Sequence, residues 1–462
     1  MTKSFHLVSL GCAKNTVDSE SMAQLLGGAG YRSTPDAAQA EVLIVNTCGF
    51  IGPAKDESYQ VLSGLAEEKQ EGQYLIAAGC LTQRYGREVL ARVPGVDGLL
   101  GTRRWMDVLD LISKLRQQPH PEPLYHLPGE AATVGRDEGD VLRIAAQGPS
   151  AYIKIADGCR RPCAFCAIPL IKGTLVSRPR EKILAEARAL QEAGVREINL
   201  IAQDSTDWGH DLGVRGGLAG LLEDLVGAVP GVDWLRVLYN YPGSVSARQI
   251  EVMAEHPQLI PYLDMPLQHA HPETLKRMRR PANVDWVYRT LERMRAAMPD
   301  LALRSTFIVG YPGETEDEFQ TLVSFLEEIR FDRVGVFTFS FEPGTTSEPL
   351  GDPVPEDVKE ARKEELMLLQ QRISLEKNQA QVGKTLDVLI EGHGEVKGSS
   401  KPIAIGRSYR DAPEIDGMVF VEGQPPLGEI VPVRITGAMP YDLSGEVETS
   451  RSVISLDSLQ TS

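Results

Sequence analysis

Residues 151–166 read AYIKIADGCRRPCAFC, an apolar run with the character of a strand that leads directly into closely spaced cysteines. Half of the six cysteines in the chain fall in this short segment, at Cys159, Cys163 and Cys166. Three thiolates on one loop can ligate three corners of an iron–sulfur cubane, which leaves one iron open for reaction. A structural zinc ion would need a fourth ligand at a regular spacing, and none follows nearby. A chance grouping, or a zinc loop with a distant fourth ligand, is the alternative.

This stretch begins a long alternation of strand and helix patterns. The predicted strands are Ala151–Ala156, Glu197–Ala202, Trp234–Leu238, Tyr262–Leu263, Leu303–Val309 and Arg333–Phe339. The predicted helices between them are Pro179–Ala193, Leu218–Val229, Ala247–His256, Val284–Met298 and Glu316–Ile329. About six consecutive βα units predict a partial or full (βα) barrel, whose active site lies at the carboxyl ends of the strands.

The other three cysteines each follow a predicted strand near the N-terminus. The pairs are Phe5–Leu10 with Cys12, Val42–Asn46 with Cys48, and Tyr74–Ala78 with Cys80. Helical patterns at 19–30, with Asn15, Thr16 and Asp18 as candidate caps, and at 54–68 separate the strands, which predicts an open parallel α/β sheet. Ligands collect at the carboxyl ends of such strands, so these cysteines should converge. Any one of them could be a small buried hydrophobe, but three at successive strand ends favour a second cluster with an open iron.

The rest of the chain divides around these two regions. Prolines and scattered charges predict a linker between them, and a charged helix, Glu356–Gln381, leads out of the barrel. Short strand runs broken by Gly and Pro then predict a small all-β barrel. The predicted domains are 1–120 for the N-terminal sheet, 121–150 for the linker, 151–375 for the barrel with its exit helix, 376–446 for the small barrel and 447–462 for a flexible tail.

Composition limits the classes of function. The 462 residues include 48 Lys and Arg against 64 Asp and Glu, a net charge of −16 that disfavours bulk binding to a nucleic-acid backbone. The N-terminal apolar run is short and leads into a cysteine, so we interpret it as a strand rather than a signal peptide. No run approaches the length of a membrane span, and we expect a cytoplasmic protein with reduced thiols. The basic run Lys276–Arg280 is interpreted as a solvated helix end.

Several motifs resemble one enzyme family along almost the whole chain. The spacing of Cys159, Cys163 and Cys166, with Phe165 before the last cysteine, resembles the radical S-adenosylmethionine enzymes. The further motifs are similar to those of the methylthiotransferases in that superfamily: Leu10–Asn15 (LGCAKN), Asn46–Ile51 (NTCGFI), Gly79–Cys80, Pro266–Ala270 (PLQHA), Arg304–Thr315 (RSTFIVGYPGET), and Asn378–Gly383 at the entry to a TRAM domain.

The resemblance implies a cofactor set and a chemistry. It implies two 4Fe-4S clusters, one on Cys12, Cys48 and Cys80 and the other on Cys159, Cys163 and Cys166. It also implies two uses of S-adenosylmethionine, as methyl donor to sulfur at the first cluster and as source of a radical at the second. Both open irons would then face one cavity between the two domains. A sulfide source and an electron donor are also implied, without being identified.

Two branches of this family differ in substrate. One modifies an adenosine of tRNA, and the other modifies the β-carbon of an aspartate in ribosomal protein S-twelve of the small subunit. Leu10–Asn15 resembles the ribosomal-protein branch, because the tRNA branch usually has Tyr before the Gly and Gln-Met before the Asn. Leu175–Pro179 and Asp411–Gly417 also resemble it. The segment 376–448 holds seven basic and twelve acidic residues, a net charge of −5, which suits docking on a basic protein better than on RNA, although a merely solvated acidic face is the alternative.

The resemblance also suggests contacts to S-adenosylmethionine, each with a structural alternative. Phe165 is expected to pack on or bond the adenine, or else to be a core aromatic. Gln203, Asp204, Gln268, Arg304 and Ser305 lie at predicted strand ends and could contact the cofactor or be satisfied polar residues of the barrel. Gly310 would let the backbone approach the adenosine, or form a simple turn. A rival from another class is a metal-binding module that docks on the ribosome without catalysis.

Overall fold

A computed structural model describes residues 3–117, 123–127, 141–395 and 402–448. The chain forms two compact units, Met1–Gln370 and Gln371–Ser462. The first unit contains an N-terminal α/β sheet followed by a barrel-like α/β region. Among the described residues, no helix combines the length and the apolar character that a membrane crossing demands.

The N-terminal region is a six-stranded sheet in which every neighbouring pair is parallel. Its strands are β1 Ser4–Ser9, β2 Arg32–Ser33, β3 Val42–Thr47, β4 Tyr74–Gly79, β5 Gly98–Gly101 and β6 Leu124–His126. Its helices are α1 Ala13–Gly28, α2 Gly52–Glu68, α3 Cys80–Arg92 and α4 Val108–Gln117. The strand order is β2-β1-β3-β4-β5-β6, so the predicted open parallel sheet is confirmed. Separate apolar clusters cover its two faces, which explains why β3 is buried along its whole length.

The start of α1 differs from the prediction. The helix begins at Ala13 with Cys12 as its N-cap residue, so Asn15, Thr16 and Asp18 are not caps and lie inside it. Asn15 instead donates to the carbonyls of Leu10 and Thr47. Cys12 makes no side-chain capping bond. Because polar residues usually mark the first residue of a helix, the sequence pattern placed the start of α1 too late in the chain.

The second half of this unit carries nine strands. The strands are β7 Ile144–Gln147, β8 Ser150–Lys154, β9 Ala156–Asp157, β10 Val176–Ser177, β11 Glu197–Ile201, β12 Trp234–Val237, β13 Tyr262–Asp264, β14 Ala302–Val309 and β15 Arg333–Thr338. Of these, β8, β11, β12, β13, β14 and β15 make the parallel pairings, and β7, β9 and β10 pair antiparallel. The helices are α5 Ile168–Lys172, α6 Arg180–Glu192, α7 Gly217–Ala228, α8 Ala247–Glu255, α9 Pro272–Arg277, α10 Val284–Ala297, α11 Glu316–Ile329 and α12 Glu356–Gln379. The sheets β12-β11-β8-β7 and β13-β14-β15 adjoin through a parallel bridge between Leu235 and Leu259, which forms the predicted partial barrel.

The proline-rich segment between the two regions contains strands at its edges. β6 adds to the N-terminal sheet, and β7 pairs antiparallel with β8. Residues 128–140 of the predicted linker lie outside the described residues. The short helices α5 and α9 were also absent from the sequence prediction.

The second unit contains the end of α12 and a closed five-stranded barrel. Its strands are β16 Thr385–Glu395, β17 Pro402–Ser408, β18 Val419–Glu422, β19 Ile430–Ala438 and β20 Leu443–Val447, in the order β16-β17-β18-β20-β19. Alternate residues of these strands, including Val388, Val421 and Val433, fill its interior. The predicted small all-β barrel is therefore confirmed, and residues 449–462 of the predicted tail lie outside the described residues.

Candidate functional site

Cys12, Cys48 and Cys80 follow the adjacent strands β1, β3 and β4. The sheet order therefore brings them to one edge, as the strand-end argument predicted. Gly11 allows the close approach: its φ is +95°, and a Cβ there would lie 2.8 Å from Cβ of Cys48 and 3.1 Å from its Sγ. A side chain at position 11 would thus push the Cys48 thiol away from the Cys12 loop.

The three thiols differ in how readily they ionise. Burial raises the pKa of Cys80 to about 12 and raises that of Cys48 as well. Cys12 is solvent-exposed; desolvation by surrounding atoms opposes its ionisation, but Lys14, the backbone N–H of Asn15 and Lys172 outweigh it and lower the pKa of that thiol. The charge of Cys12 raises the pKa of Cys48, and the charges of Cys48 and Cys12 raise the pKa of Cys80, so the three thiols lie close together.

A buried network of charges lies behind these thiols. One carboxylate oxygen of Asp18 accepts from Arg143 at 2.9 Å and Lys154 at 2.5 Å, and the other accepts from Lys172 at 2.9 Å. Asp157 pairs with Arg143 at 2.8 Å and with Lys154 at 2.9 Å. All five side chains are at most 2% exposed. Three cations face two carboxylates, so the network has a surplus positive charge.

The positive charge of Lys172 acts on all three N-terminal cysteines. Burial alone would lower the pKa of Lys172, but Asp18, Asp157 and Cys80 raise it, so this side chain remains an ammonium. Its charge in turn favours the thiolate forms of Cys12, Cys48 and Cys80. A cation facing three thiolates suits an anionic iron–sulfur cluster, so the residues present fit that group.

Among the described residues, no three His, Cys, Asp or Glu side chains surround a position for a single metal ion. In a cubane each thiolate binds a different iron, so its ligands need not surround one position.

Cys159, Cys163 and Cys166 lie on the loop between β9 and α5, beyond the carboxyl end of the first barrel strand. The loop is fixed by backbone bonds from Cys159 to Gly173 and from Ala164 to Met278. Gly158 allows the backbone to turn from β9 into this loop. Its φ is +68°, and a Cβ at this position would lie 1.9 Å from the carbonyl oxygen of Thr174. Burial raises the pKa of Cys159 to about 11 and that of Cys166 to about 12.

Aromatic and guanidinium groups surround Cys163. Arg161 and Arg280 lie over the ring of Tyr241, with guanidinium carbons 4.2 and 4.3 Å from its centroid. Arg280 donates to Sγ of Cys163 at 3.5 Å and to the carbonyl of Pro266. Burial raises the pKa of Tyr241 to about 12. The sulfur of Cys163 therefore lies beside a guanidinium donor, which suits a cluster ligand.

The helix α5 joins the two cysteine sets. Cys80 packs with Ala167 and Ile171 in one buried apolar cluster, and Ala167 adjoins Cys166 in the chain. Arg103 of the N-terminal region donates to the carbonyls of Leu170 and Ile171 at 2.9 Å each. The helix α5, which follows the loop with Cys159, Cys163 and Cys166, thus packs directly against Cys80 of the N-terminal set.

A second contact between the two regions involves Glu342. Its carboxylate accepts from Arg84 at 2.6 Å and from Lys55 at 3.1 Å, and it is 2% exposed. Arg84 also donates to the carbonyl of Pro343 at 2.8 Å. The N-terminal sheet and the barrel therefore hold one another through buried ions as well as through α5.

Three of the predicted cofactor contacts lie near the Cys159 loop. Phe165 packs in part against a cluster that contains Met278, Tyr311 and Phe339. Asp204 already has protein partners, because its carboxylate accepts from Arg161 at 2.6 Å and caps the following turn. Burial raises the pKa of Asp204. Gln203 is half-buried at the end of β11.

Of the others, Gln268 follows β13, Arg304 and Ser305 lie within β14, and Gly310 directly follows β14. Gln268 has a φ of +75°, and its backbone bonds to Thr306 and Ile308 hold it there. Such strain in a residue other than glycine is typical of a functional site. Arg304 pairs with Asp264 at 2.8 Å, and the buried Ser305 donates to the carbonyl of Met265. Gly310 has a φ of +72°, and a Cβ there would lie 2.3 Å from Cγ of Lys359. These internal partners support the structural alternative for Ser305 and Gly310.

Sequence reasoning missed the buried charges. Arg143, Lys154 and Lys172 each interrupt an apolar run, which was a signal that could have marked them as buried. The interpretation of 276–280 as a solvated helix end was wrong for Arg280, which is 8% exposed and bonds to Cys163.

Comparison with known proteins matches three family models in chain order. Residues 4–101 match a model described as uncharacterized protein family UPF0004, residues 153–326 match the radical SAM superfamily, and residues 382–447 match the TRAM domain. Among solved structures, the radical S-adenosylmethionine methyltransferase TsrM of Kitasatospora setae has a TM-score of 0.56 over 75% of this chain and 77% of its own. The sequence identity is 13%, so this likeness concerns the fold alone.

Proteins of much higher identity align along nearly the whole chain. The ribosomal protein uS12 methylthiotransferase RimO of Chloroflexus aurantiacus is 50% identical over 452 residues, which cover 96% of this chain and 99% of that protein. The protein of the same name from a Roseiflexus species is 47% identical over 458 residues, with 96% and 97% covered. The order of the three regions, the two sets of cysteines and this identity establish that the chain belongs to the ribosomal protein uS12 methylthiotransferase family.

Proposed function

We propose that this protein is a cytoplasmic radical S-adenosylmethionine enzyme that adds a methylthio group to the β-carbon of an aspartate in ribosomal protein uS12. The observation that carries the proposal is the contact of Cys80 with Ala167 and Ile171, because it places two sets of three cysteines side by side. The family relationship supports the substrate, and the order of the three regions supports domains at 1–120, 151–375 and 376–446.

The site residues would divide between two clusters and one cofactor. Cys12, Cys48 and Cys80 would hold one 4Fe-4S cluster, and Cys159, Cys163 and Cys166 would hold the other. When bound, these clusters and S-adenosylmethionine supply electron transfer, a carbon-centred radical and a methyl group. Phe165, Gln203, Gln268 and Arg304 remain the proposed contacts to S-adenosylmethionine.

The protein's own residues would prepare the site for that chemistry. Lys172 stabilises thiolates in the N-terminal set, and Arg280 donates to the sulfur of Cys163. Cys80, Ala167 and Ile171 exclude water from the contact between the sets. Buried ion pairs at Asp18 and Glu342 fix the distance between the two regions, as a transfer between them requires.

The charge of the terminal barrel supports a basic protein partner. The segment 376–448 carries a net charge of −5, and its cation Arg407 is buried against Glu391 at 2.5 Å. Arg410 is also only 5% exposed. Glu391 is paired with Arg407 and Asp411 is 1% exposed, so two acidic side chains offset these two buried cations and the net charge of −5 rests on the other residues of the segment. That acidic balance favours ribosomal protein uS12 over tRNA as the partner.

Two measurements test the proposal. Anaerobic reconstitution should give about eight irons per chain, as expected for two cubanes, whereas about four irons or bound zinc would contradict it. The reduced enzyme should then release 5′-deoxyadenosine from S-adenosylmethionine and increase the intact mass of uS12 by one methylthio group. A methylthio group found instead on an adenosine of tRNA would identify the other branch, and absence of deoxyadenosine would favour a non-catalytic docking module.

A further inference from the structure

The first turn of α1 presents a buried lysine without a polar partner. Lys14 is 6% exposed, and its Nζ makes no hydrogen bond or ion pair with any residue that the structure describes. Its ammonium lies 3.2 Å from the centroid of the Tyr239 ring. A ring face attracts a cation but leaves the three N–H donors of an ammonium unsatisfied. The Nζ atom is not among the fully buried side-chain atoms without a partner, so an incoming anion can reach these donors.

The position of Lys14 relates it to both sets of cysteines. It is two residues from Cys12 and lies within electrostatic range of that thiol. Tyr239, on the other side of the contact, is two residues from Tyr241, whose ring lies against Arg280, and Arg280 donates to Sγ of Cys163. The ammonium therefore lies in the region between the two proposed clusters, where the substrate carbon must enter.

The backbone of Tyr239 is strained in a way that maintains this contact. Tyr239 follows β12 with a φ of +62°, a conformation that bulky residues rarely adopt. The Asp264 carboxylate accepts from its backbone N–H at 2.9 Å, and Ser205 donates to its carbonyl at 3.0 Å. Strain that neighbouring residues hold in place is a feature of functional sites.

Other cations nearby already have partners. Arg143, Lys154 and Lys172 bind Asp18, Arg161 binds Asp204, and Arg304 binds Asp264. Arg280 lacks a carboxylate but donates to Pro266 and Cys163. Lys14 thus differs from all of these, because its donors remain available for an incoming anion.

We propose that Lys14 binds the side-chain carboxylate of the substrate aspartate and thereby selects a carboxylate-bearing substrate. This inference rests on the proposed function, which supplies the aspartate. A carboxylate held by Lys14 would place the adjacent β-carbon between the two cysteine sets.

The test measures how well the holoenzyme distinguishes uS12 from a uS12 variant whose target aspartate is replaced by asparagine. Both are labelled and titrated, without reductant, into reconstituted wild type, Lys14→Met and Lys3→Met. Lys3 is the matched control, since its ammonium also lies over a tyrosine ring, Tyr31, and donates to a carbonyl on the protein surface. Iron content and deoxyadenosine formation are recorded for each variant.

Wild type and Lys3→Met should bind the aspartate form roughly 10- to 100-fold more tightly, the range for one charge-assisted hydrogen bond. Lys14→Met should bind both forms equally, and its measured iron content restricts the comparison to protein that carries both clusters. A preserved preference in Lys14→Met would overturn the inference and indicate that Lys14 only balances cluster charge. If Lys14→Met does not fold, Lys14→Gln repeats the test with a neutral polar side chain.

The same experiment separates this inference from the proposed function. If wild type modifies uS12 but Lys14→Met still prefers the aspartate form, only the inference on Lys14 is contradicted. Wild type that neither binds nor modifies uS12 contradicts both.

Discussion

The buried carboxylate of Asp18 offers the sharpest test of how the N-terminal sheet and the barrel are held together. Asp18→Asn keeps the shape of the side chain but removes its charge, so no cavity accompanies the change. The amide oxygen can still accept from Arg143 and Lys154, but the amide nitrogen would face the ammonium of Lys172. Three buried cations would then share the single carboxylate of Asp157.

The expected loss follows from the burial of this network. Removal of one partner from a fully buried ion pair typically costs about 3–5 kcal/mol, because the remaining charge stays desolvated. The matched control is Asp110→Asn, which removes an ion pair with Lys114 at 2.6 Å where both side chains are more than half exposed. Exposed pairs of this kind contribute about 0–1 kcal/mol. Both variants replace an ion-paired aspartate by asparagine, so the difference in burial should account for the difference in their losses of unfolding free energy.

Urea unfolding of the cluster-free protein would measure the difference. Trp105 is a suitable fluorescent reporter, since it is buried and lies 4.7 Å from the guanidinium of Arg143. A loss below about 1 kcal/mol for Asp18→Asn, equal to the control, would refute the buried network. Adding Lys172→Met to Asp18→Asn should restore part of the loss, because the second change removes the unpaired cation.

The effect should also depend on pH with a definite sign. Burial alone would raise the pKa of Asp18, but Lys154, Lys172 and Arg143 hold it below the ordinary value of 3.8. The contribution of this carboxylate is therefore complete above about pH 4 and decreases as the pH falls below it. The difference between wild type and Asp18→Asn should accordingly shrink in acid.

Three further predictions concern the cysteines and two buried bases. Cys159→Ala should abolish deoxyadenosine formation, whereas Cys48→Ala should leave it largely intact and stop methylthio transfer; the same outcome for both would contradict two separate roles. Lys172→Met should lower the iron retained after reconstitution, since it removes the cation that faces the N-terminal thiolates, while the exposed control Lys114→Met should not. Burial lowers the pKa of His269 to about 3 from 6.5, so ¹³C-histidine NMR should show one imidazole that stays neutral at pH 5; titration of every histidine near pH 6.5 would contradict this.

The strand ends could be predicted from the sequence, but the helix start after Cys12 could not. Apolar runs that end at Cys12, Cys48 and Cys80 were sufficient to predict parallel strands and a convergent site. At α1, the residues that normally mark an N-cap are engaged elsewhere: Asn15 bonds to the strand-end loops and Asp18 to the barrel. Tertiary contacts thus override the local signal at this helix.

The buried ion network was beyond prediction for a different reason. Asp18 bonds to residues 125, 136 and 154 positions away in the chain. Local patterns can mark Lys154 as unusual within an apolar strand, but they contain no information on its partner. The short helix α5 has only five residues and too few turns to produce a periodic pattern. The elements that connect the two regions are therefore the ones that local sequence describes least well.

These connecting elements explain why the two cysteine sets form one site. Cys166, Ala167, Ile171 and Lys172 lie within seven consecutive residues of the chain. The first is a proposed ligand of the barrel cluster, the next two pack on Cys80, and the last places its charge against the N-terminal thiols. A displacement of this segment would move a ligand of one cluster and the charge that supports the other at the same time. The geometry between the two sets is consequently determined by one short segment, which Arg103 and Asp18 anchor to the N-terminal sheet.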